Sequence, residues 1–159
     1  MAIDRIPVPF NRQHPEKVLE HMNDLAARRD GRGWISFQPG VQGDADVNDG
    51  TFAIFSARGP MLPNGTWVPS HTRRRKTIPT TVGLEHPAGK DAVAQLKEAG
   101  ILVPEGWTMQ QDHPRRGLTF VVPDGDEPRV TVNFLTTAGA WLTPLDVGDD
   151  WYALIAVQR

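Results

Sequence analysis

The chain has 159 residues, with 17 Lys and Arg against 19 Asp and Glu for a net charge of −2, and at roughly 150 residues per domain it makes one compact globule or two small units sharing a core. There is no cysteine, which excludes disulfides, a thiol nucleophile, iron–sulfur clusters and thiolate zinc sites. Fifteen Gly and 14 Pro point away from long coiled coils and toward short elements joined by turns.

Residues 1–10 carry Asp4 and prolines at 7 and 9 where a secretory signal needs an unbroken apolar run, and no later run reaches membrane-spanning length. The expectation is a soluble cytoplasmic protein with no membrane contact. From Pro15 to Arg29, Val18, Leu19, Met22, Leu25 and Ala26 fall at helical spacing, with Gly31 as the stop. Trp34, Ile35 and Phe37 make a short strand, Gln38 to Gly50 is a polar connection, and Thr51 to Phe55 reads as a second strand. Arg58 to Lys76 reads mostly as loop.

Thr77 to Leu84 is a weaker strand interrupted by Pro79, and after His86-Pro87 a second helix carries Ala92, Val93, Leu96 and Ala99 up to Gly100. Trp107 to Gln111 is extended, Asp112 to Gly117 is hairpin-turn chemistry, and Leu118 to Val122 is apolar enough for a central strand. Residues 127–142 fit two periods: Val130, Val132 and Phe134 alternate, while Val130, Phe134, Ala138, Trp141 and Leu142 share a helical face. Helix is the choice, because Asp126, Glu127 and Pro128 open it and Thr143-Pro144 closes it. Trp151 to Val157 is the last strand.

The fold class expected is α+β. Residues 77–159 form a ferredoxin-like βαββαβ half, and residues 1–76 form an αββ unit packed on it within one globule. The order His14-Pro15, helix, Trp34, strands is echoed by His86-Pro87, helix, Trp107, strands, which suggests a degenerate duplication, with chance as the competing explanation.

Phosphate loops, GxGxxG turns, GxSxG elbows and HExxH pairs are all missing. No pattern implies a cofactor or a metal. Gly43 to Gly50 has the alternating oxygens of a calcium loop, but Asp49 occupies the sharp-turn position and Phe55 the place of the closing carboxylate. The residues that stand out are Arg73, Arg74, Arg75 and Lys76, four cations in a row between Pro69 and Pro79. They suit phosphates or an acidic surface, with a solvated loop as the plain alternative. Arg115 and Arg116 are possible second contacts, and Trp67 is an aromatic anchor beside the loop.

Asp112, His113 and Arg115 form the best catalytic constellation, an imidazole with a neighbouring carboxylate and a guanidinium, to which Ser56 and Arg58 could be added from the other strand pair. An Asx-type turn explains Asp112 and Pro114 without chemistry.

Arg116-Gly117-Leu118-Thr119-Phe120-Val121-Val122, with the strand order of residues 77–157, resembles a degraded RNA-recognition-motif signature. The resemblance implies a ferredoxin-like unit with bases stacked at the positions of Leu118 and Phe120, and only Arg116, Gly117, Phe120 and Val121 fit it. Phe55 to Pro60 and Gln111 to Leu118 resemble segments of a family from high-GC bacteria that carries no assigned activity.

The reading that results is a non-catalytic binding module for an anionic partner, nucleic acid or acidic surface, met by the basic loop. Two alternatives stand beside it. One is a small enzyme acting on an anionic substrate near His113, and the other is a protein–protein adaptor, immunity-type or chaperone-like domain that binds a protein partner or dimerises.

Overall fold

The computed structural model describes residues 2–41 and 61–159. The expected strand at 51–55, the calcium-like stretch at 43–50, and Ser56 and Arg58 lie outside the described residues. The protein is a mixed α+β chain whose described residues form a seven-stranded antiparallel sheet and a separate two-stranded hairpin.

The first strand, β1 (Ile3–Asn11), stands where the sequence reading placed none. Its prolines argue against a central strand, but β1 is an edge of the sheet, where a residue without an N–H leaves no ladder bond unmade. Val8 and Phe10 are buried and alternate with the exposed Pro7 and Pro9. Helix α1 (Glu16–Arg28) buries Val18, Met22 and Leu25 as their spacing requires, and ends on Arg29 in the left-handed region at φ 53°.

Strand β2 (Gly33–Val41) buries Ile35 and Phe37. Strand β3 (Asn64–Val68) was expected to be loop, because Pro63, Asn64, Gly65 and Pro69 read as turn chemistry. Packing decides otherwise: Trp67 is only 4% exposed, and a Cβ on Gly65 would lie 3.0 Å from Leu135 Cδ1, so the bare glycine lets a helix lie close to the strand. The hairpin β4 (His71–Arg73) and β5 (Lys76–Ile78) follows, and Pro79 separates it from β6 (Thr80–Glu85).

Helix α2 (Ala92–Glu98), β7 (Thr108–His113), β8 (Gly117–Val122), α3 (Pro128–Trp141) and β9 (Val147–Gln158) complete the chain. The stretch expected as helix at 127–142 is helical from Pro128 to Trp141, with Pro128 in the first turn where its missing N–H costs nothing. The β-branched residues there are tolerated because α3 buries Thr131, Val132, Phe134, Leu135, Thr136, Ala138 and Gly139. Burial outweighs propensity at this position.

The sheet order is β1-β9-β2-β3-β6-β8-β7. Residues 77–157 have the expected element order, and β6, β8 and β7 are neighbours as in a ferredoxin-like sheet. β9 is not next to β6, because β2 and β3 lie between them. β9 instead pairs antiparallel with both β1 and β2, setting Ile35 opposite Ile155 and Phe37 opposite Ala153. Residues 1–76 and 77–159 therefore share one sheet.

Two passages have a common layout. β1-α1-β2 and β6-α2-β7 each run strand, His-Pro, helix, strand, and each admits an antiparallel strand between its two, β9 in the first and β8 in the second.

Helices α1 and α3 pack on one face of the sheet and on each other. Under them lie Ile35, Phe37, Val82, Leu84, Phe120 and Trp151. Trp107, Phe120 and Phe134 meet with ring centroids 5.3–5.7 Å apart. The Trp107 indole donates to Asp126 Oδ2 at 2.8 Å, which pins the β8–α3 connection to the core.

A candidate anion-binding hairpin

The four consecutive cations occupy the tip of the β4–β5 hairpin. Arg73 and Lys76 are directly paired, and Arg74 and Arg75 form the two-residue turn, with φ of 50° and 65°. Positive φ at both central residues is the type I′ geometry that suits a right-handed ribbon. The residues that adopt it cheaply are Asn and Gly, whereas each arginine pays roughly 1 kcal/mol in steric strain.

The pairing adds a second cost. Directly opposed residues of an antiparallel pair project from the same face with Cβ atoms about 5 Å apart, and like charges there repel. Arg73 and Lys76 are such a pair, and all four cations are exposed. None of the four has an ion pair among the described residues.

The base of the hairpin is fixed. Ser70 N–H donates to Thr80 Oγ1 at 3.0 Å, His71 Nδ1 lies 3.1 Å from the Pro69 carbonyl oxygen, and Thr72 N–H donates to the carbonyl of Arg29 at 3.2 Å. The His71 ring packs on Gly31 so closely that a Cβ there would lie 2.7 Å from His71 Cδ2. These contacts bring the α1–β2 connection, with Arg28, Arg29 and Arg32, against the hairpin. Sequence distance hid these three arginines; a basic residue closing a helix was the signal available for them.

Asp30 is the acid in that connection, and it is already engaged. It accepts from Arg32 N–H at 2.9 Å and from Arg28 Nη2 at 2.9 Å. The Arg32 amide first, and the Arg28 guanidinium with it, hold its carboxyl below the usual range.

Three expected members of the site lie elsewhere. Trp67 is in the core and offers no exposed ring. Arg115 and Arg116 sit on the β7–β8 turn, beside the Leu84 end of β6, whereas the hairpin leaves from the Thr80 end. Four residue steps, roughly 13 Å, separate Leu84 from Thr80.

The constellation around His113 is divided in the same way. Asp112 points toward α2, accepting from Ala92 N–H at 3.2 Å and Val93 N–H at 3.1 Å, and so caps a helix whose own N-cap residue, Asp91, makes no side-chain cap. His113 Nδ1 accepts from the N–H groups of Arg115 and Arg116, each at 3.1 Å, and holds the turn. Neighbouring residues of one strand thus serve two separate structural tasks. Leu118 and Phe120, the positions where the resemblance implies stacked bases, are 1% and 0% exposed, and the Phe120 ring meets Phe134 of α3.

A cavity of about 210 Å³ lies at the base of the hairpin, walled by Arg29, Trp67, Ser70, Thr80, Asp124 and Asp126. Its charges are of both signs. Among the described residues no group of three or more His, Asp or Glu could hold a metal ion, and no helix is long and apolar enough to cross a membrane.

Fold and site together define an α+β protein with a mostly antiparallel sheet that carries a cationic hairpin at one end. Comparison with family models, curated proteins and solved structures finds no match.

Proposed function

We propose that the protein is a non-catalytic binding module whose β4–β5 hairpin takes an anionic partner. One observation carries this reading: Arg73, Arg74, Arg75 and Lys76 are exposed and have no ion pair among the described residues, with two of them opposed and two in a strained turn. A stretch kept only for solubility gains nothing from such crowding. A bound anion removes the repulsion, which makes the arrangement favourable in the complex.

The catalytic alternative at His113 loses support from the tasks that Asp112 and His113 perform. A protein-binding reading has one observation of its own, an apolar groove between α2 and α3 where Trp141 is 47% exposed beside Pro87, Leu142 and Pro144. The finer fold readings fit the same picture: β6-α2-β7 with β8 between is a partial ferredoxin-like unit, and its likeness to β1-α1-β2 with β9 between supports a degenerate duplication.

The test is fluorescence-anisotropy titration of labelled single-stranded RNA, single-stranded DNA and duplex DNA with the protein and with a variant carrying alanine at 73–76. Binding in low salt that is lost in the variant is the expected result. Equal binding by the two proteins contradicts the assignment to the hairpin.

A further inference from the structure

We infer that the β4–β5 hairpin enters the major groove of double-stranded DNA, with Arg74 and Arg75 toward the groove floor and Arg73, Lys76 and Arg29 against phosphates of its walls. This rests on the anion-binding reading above and specifies which anion.

Shape carries the first step. The hairpin is a two-stranded sheet of its own, not joined to the seven-stranded one. Two strands lie about 4.8 Å apart, and with side chains such a ribbon fills a groove about 12 Å wide. Among the described residues, the last anchor along β4 is Thr72 N–H on the Arg29 carbonyl. Beyond it the backbone projects by about two residues, roughly 7 Å, against a groove depth of about 8.5 Å. The Arg29 side of the anchor then stands level with the groove rim.

Chemistry carries the second. Alternation places His71, Arg73, Lys76 and Ile78 on one face of the ribbon and Thr72 and Thr77, both exposed, on the other. Cations mark one face and the apex, while hydroxyls mark the opposite face. A flat acidic surface engages a single face, whereas a groove has two phosphate-lined walls and a floor of base edges. Arginine in pairs suits that floor, because its guanidinium forks onto guanine acceptors.

Single strands are the weaker fit. Sequence-tolerant binding of unpaired bases depends on exposed aromatic rings, and within 69–80 there is none, while neighbouring Trp67 is buried. Duplex RNA is also excluded as the preferred form, because its major groove is too deep and narrow for a ribbon.

The turn supplies a variant that separates recognition from folding. Arg74→Asn with Arg75→Gly replaces a strained type I′ turn with the pair that adopts it most readily. The hairpin is retained and its apex charges are removed. Anisotropy competition with 20-residue duplex DNA, duplex RNA, single-stranded DNA and polyglutamate, compared at equal anionic charge, tests the full chain against this variant and the Arg73→Ala/Lys76→Ala variant.

The expected result is at least tenfold preference for duplex DNA. It should fall at least tenfold in Arg74→Asn/Arg75→Gly, whose thermal unfolding midpoint should be no lower than that of the parent. Equal affinity for all four polyanions, or preference for polyglutamate or a single strand, overturns the groove assignment and leaves the anion-binding hairpin standing. Absence of binding to every polyanion overturns both.

Discussion

At the scale of single residues, the side chains that looked most chemical are mainly holding the fold. Asp112 and His113 are adjacent in sequence, and a catalytic pair was the natural expectation, but a strand sends them to opposite sides. What Asp112 caps lies 19 and 20 residues away, a separation that a local motif search does not cover. Gly117 is a comparable case. Its place after Arg116 fits a nucleic-acid signature, yet it has φ +79° and lies against β6, where a Cβ would collide with the Leu84 carbonyl oxygen. Gly117→Ala is expected to cost about 3 kcal/mol in chemical denaturation, from backbone collision and strain together. Gly125→Ala, at φ +90° with no described residue within 4 Å of the added Cβ, should cost about 1 kcal/mol from strain alone.

His86 gives a pH dependence at the same scale. It is fully buried, its Nδ1 accepts from Ala88 N–H at 3.1 Å, and its Nε2 has no partner among the described residues. Burial pushes its pKa below 6.5, and the nearby Asp112 carboxylate offsets part of that shift. A histidine depressed in the folded state takes up its proton more readily when unfolded, so stability falls as pH drops below about 6.5 and levels off beneath the folded pKa. Unfolding free energies measured at pH 7.5 and 5.5 should show a larger loss in the parent than in His86→Gln, by up to about 1.4 kcal/mol per pH unit. Parallel pH profiles would contradict the neutral buried imidazole.

At the scale of elements, the three helices were legible because each combines apolar period with a stop or start residue: Gly31 after α1, Gly100 after α2, Pro128 at the head of α3. The strands at the proline-rich stretches were not. β1 hides behind Pro7 and Pro9 until its edge position is known, and β3 hides because Gly65 makes room for Leu135, a contact 70 residues distant. The basic loop was visible as charge, whereas its conformation as a type I′ hairpin was not, since arginines are poor residues for that turn. This mismatch yields a stability prediction. Arg74→Asn with Arg75→Gly should raise the unfolding free energy by about 1 kcal/mol in thermal or urea denaturation, and a decrease would mean that the arginines support the hairpin structurally.

At the scale of the whole molecule, the last strand closes the first half of the chain. β9 lies between β1 and β2 and contributes Trp151, Ala153 and Ile155 to the core, so no cut near residue 76 yields a first half with a complete sheet. A chain ending at residue 146 is expected to lose cooperative unfolding altogether, as seen by calorimetry, rather than to shed a peripheral segment. The sheet order was beyond sequence reasoning for the same reason: pairing β9 with β1 joins residues 3 and 158, and no local pattern announces so distant a partner.

The whole-molecule arrangement also explains why one end of the protein is the functional candidate. The α1–β2 connection and the β4–β5 hairpin arrive at that end together, while Arg115 and Arg116 are carried to the other. The most direct measurement is the salt dependence of duplex DNA binding by the intact protein and by the variant with alanine at 73–76. Three phosphate contacts, from Arg73, Lys76 and Arg29, predict a log–log slope of about −2.7, a loss of roughly 40-fold between 50 and 200 mM salt, and a slope of only about −0.9 in the variant, which keeps Arg29. A slope that is the same in both proteins would contradict the hairpin as the binding element.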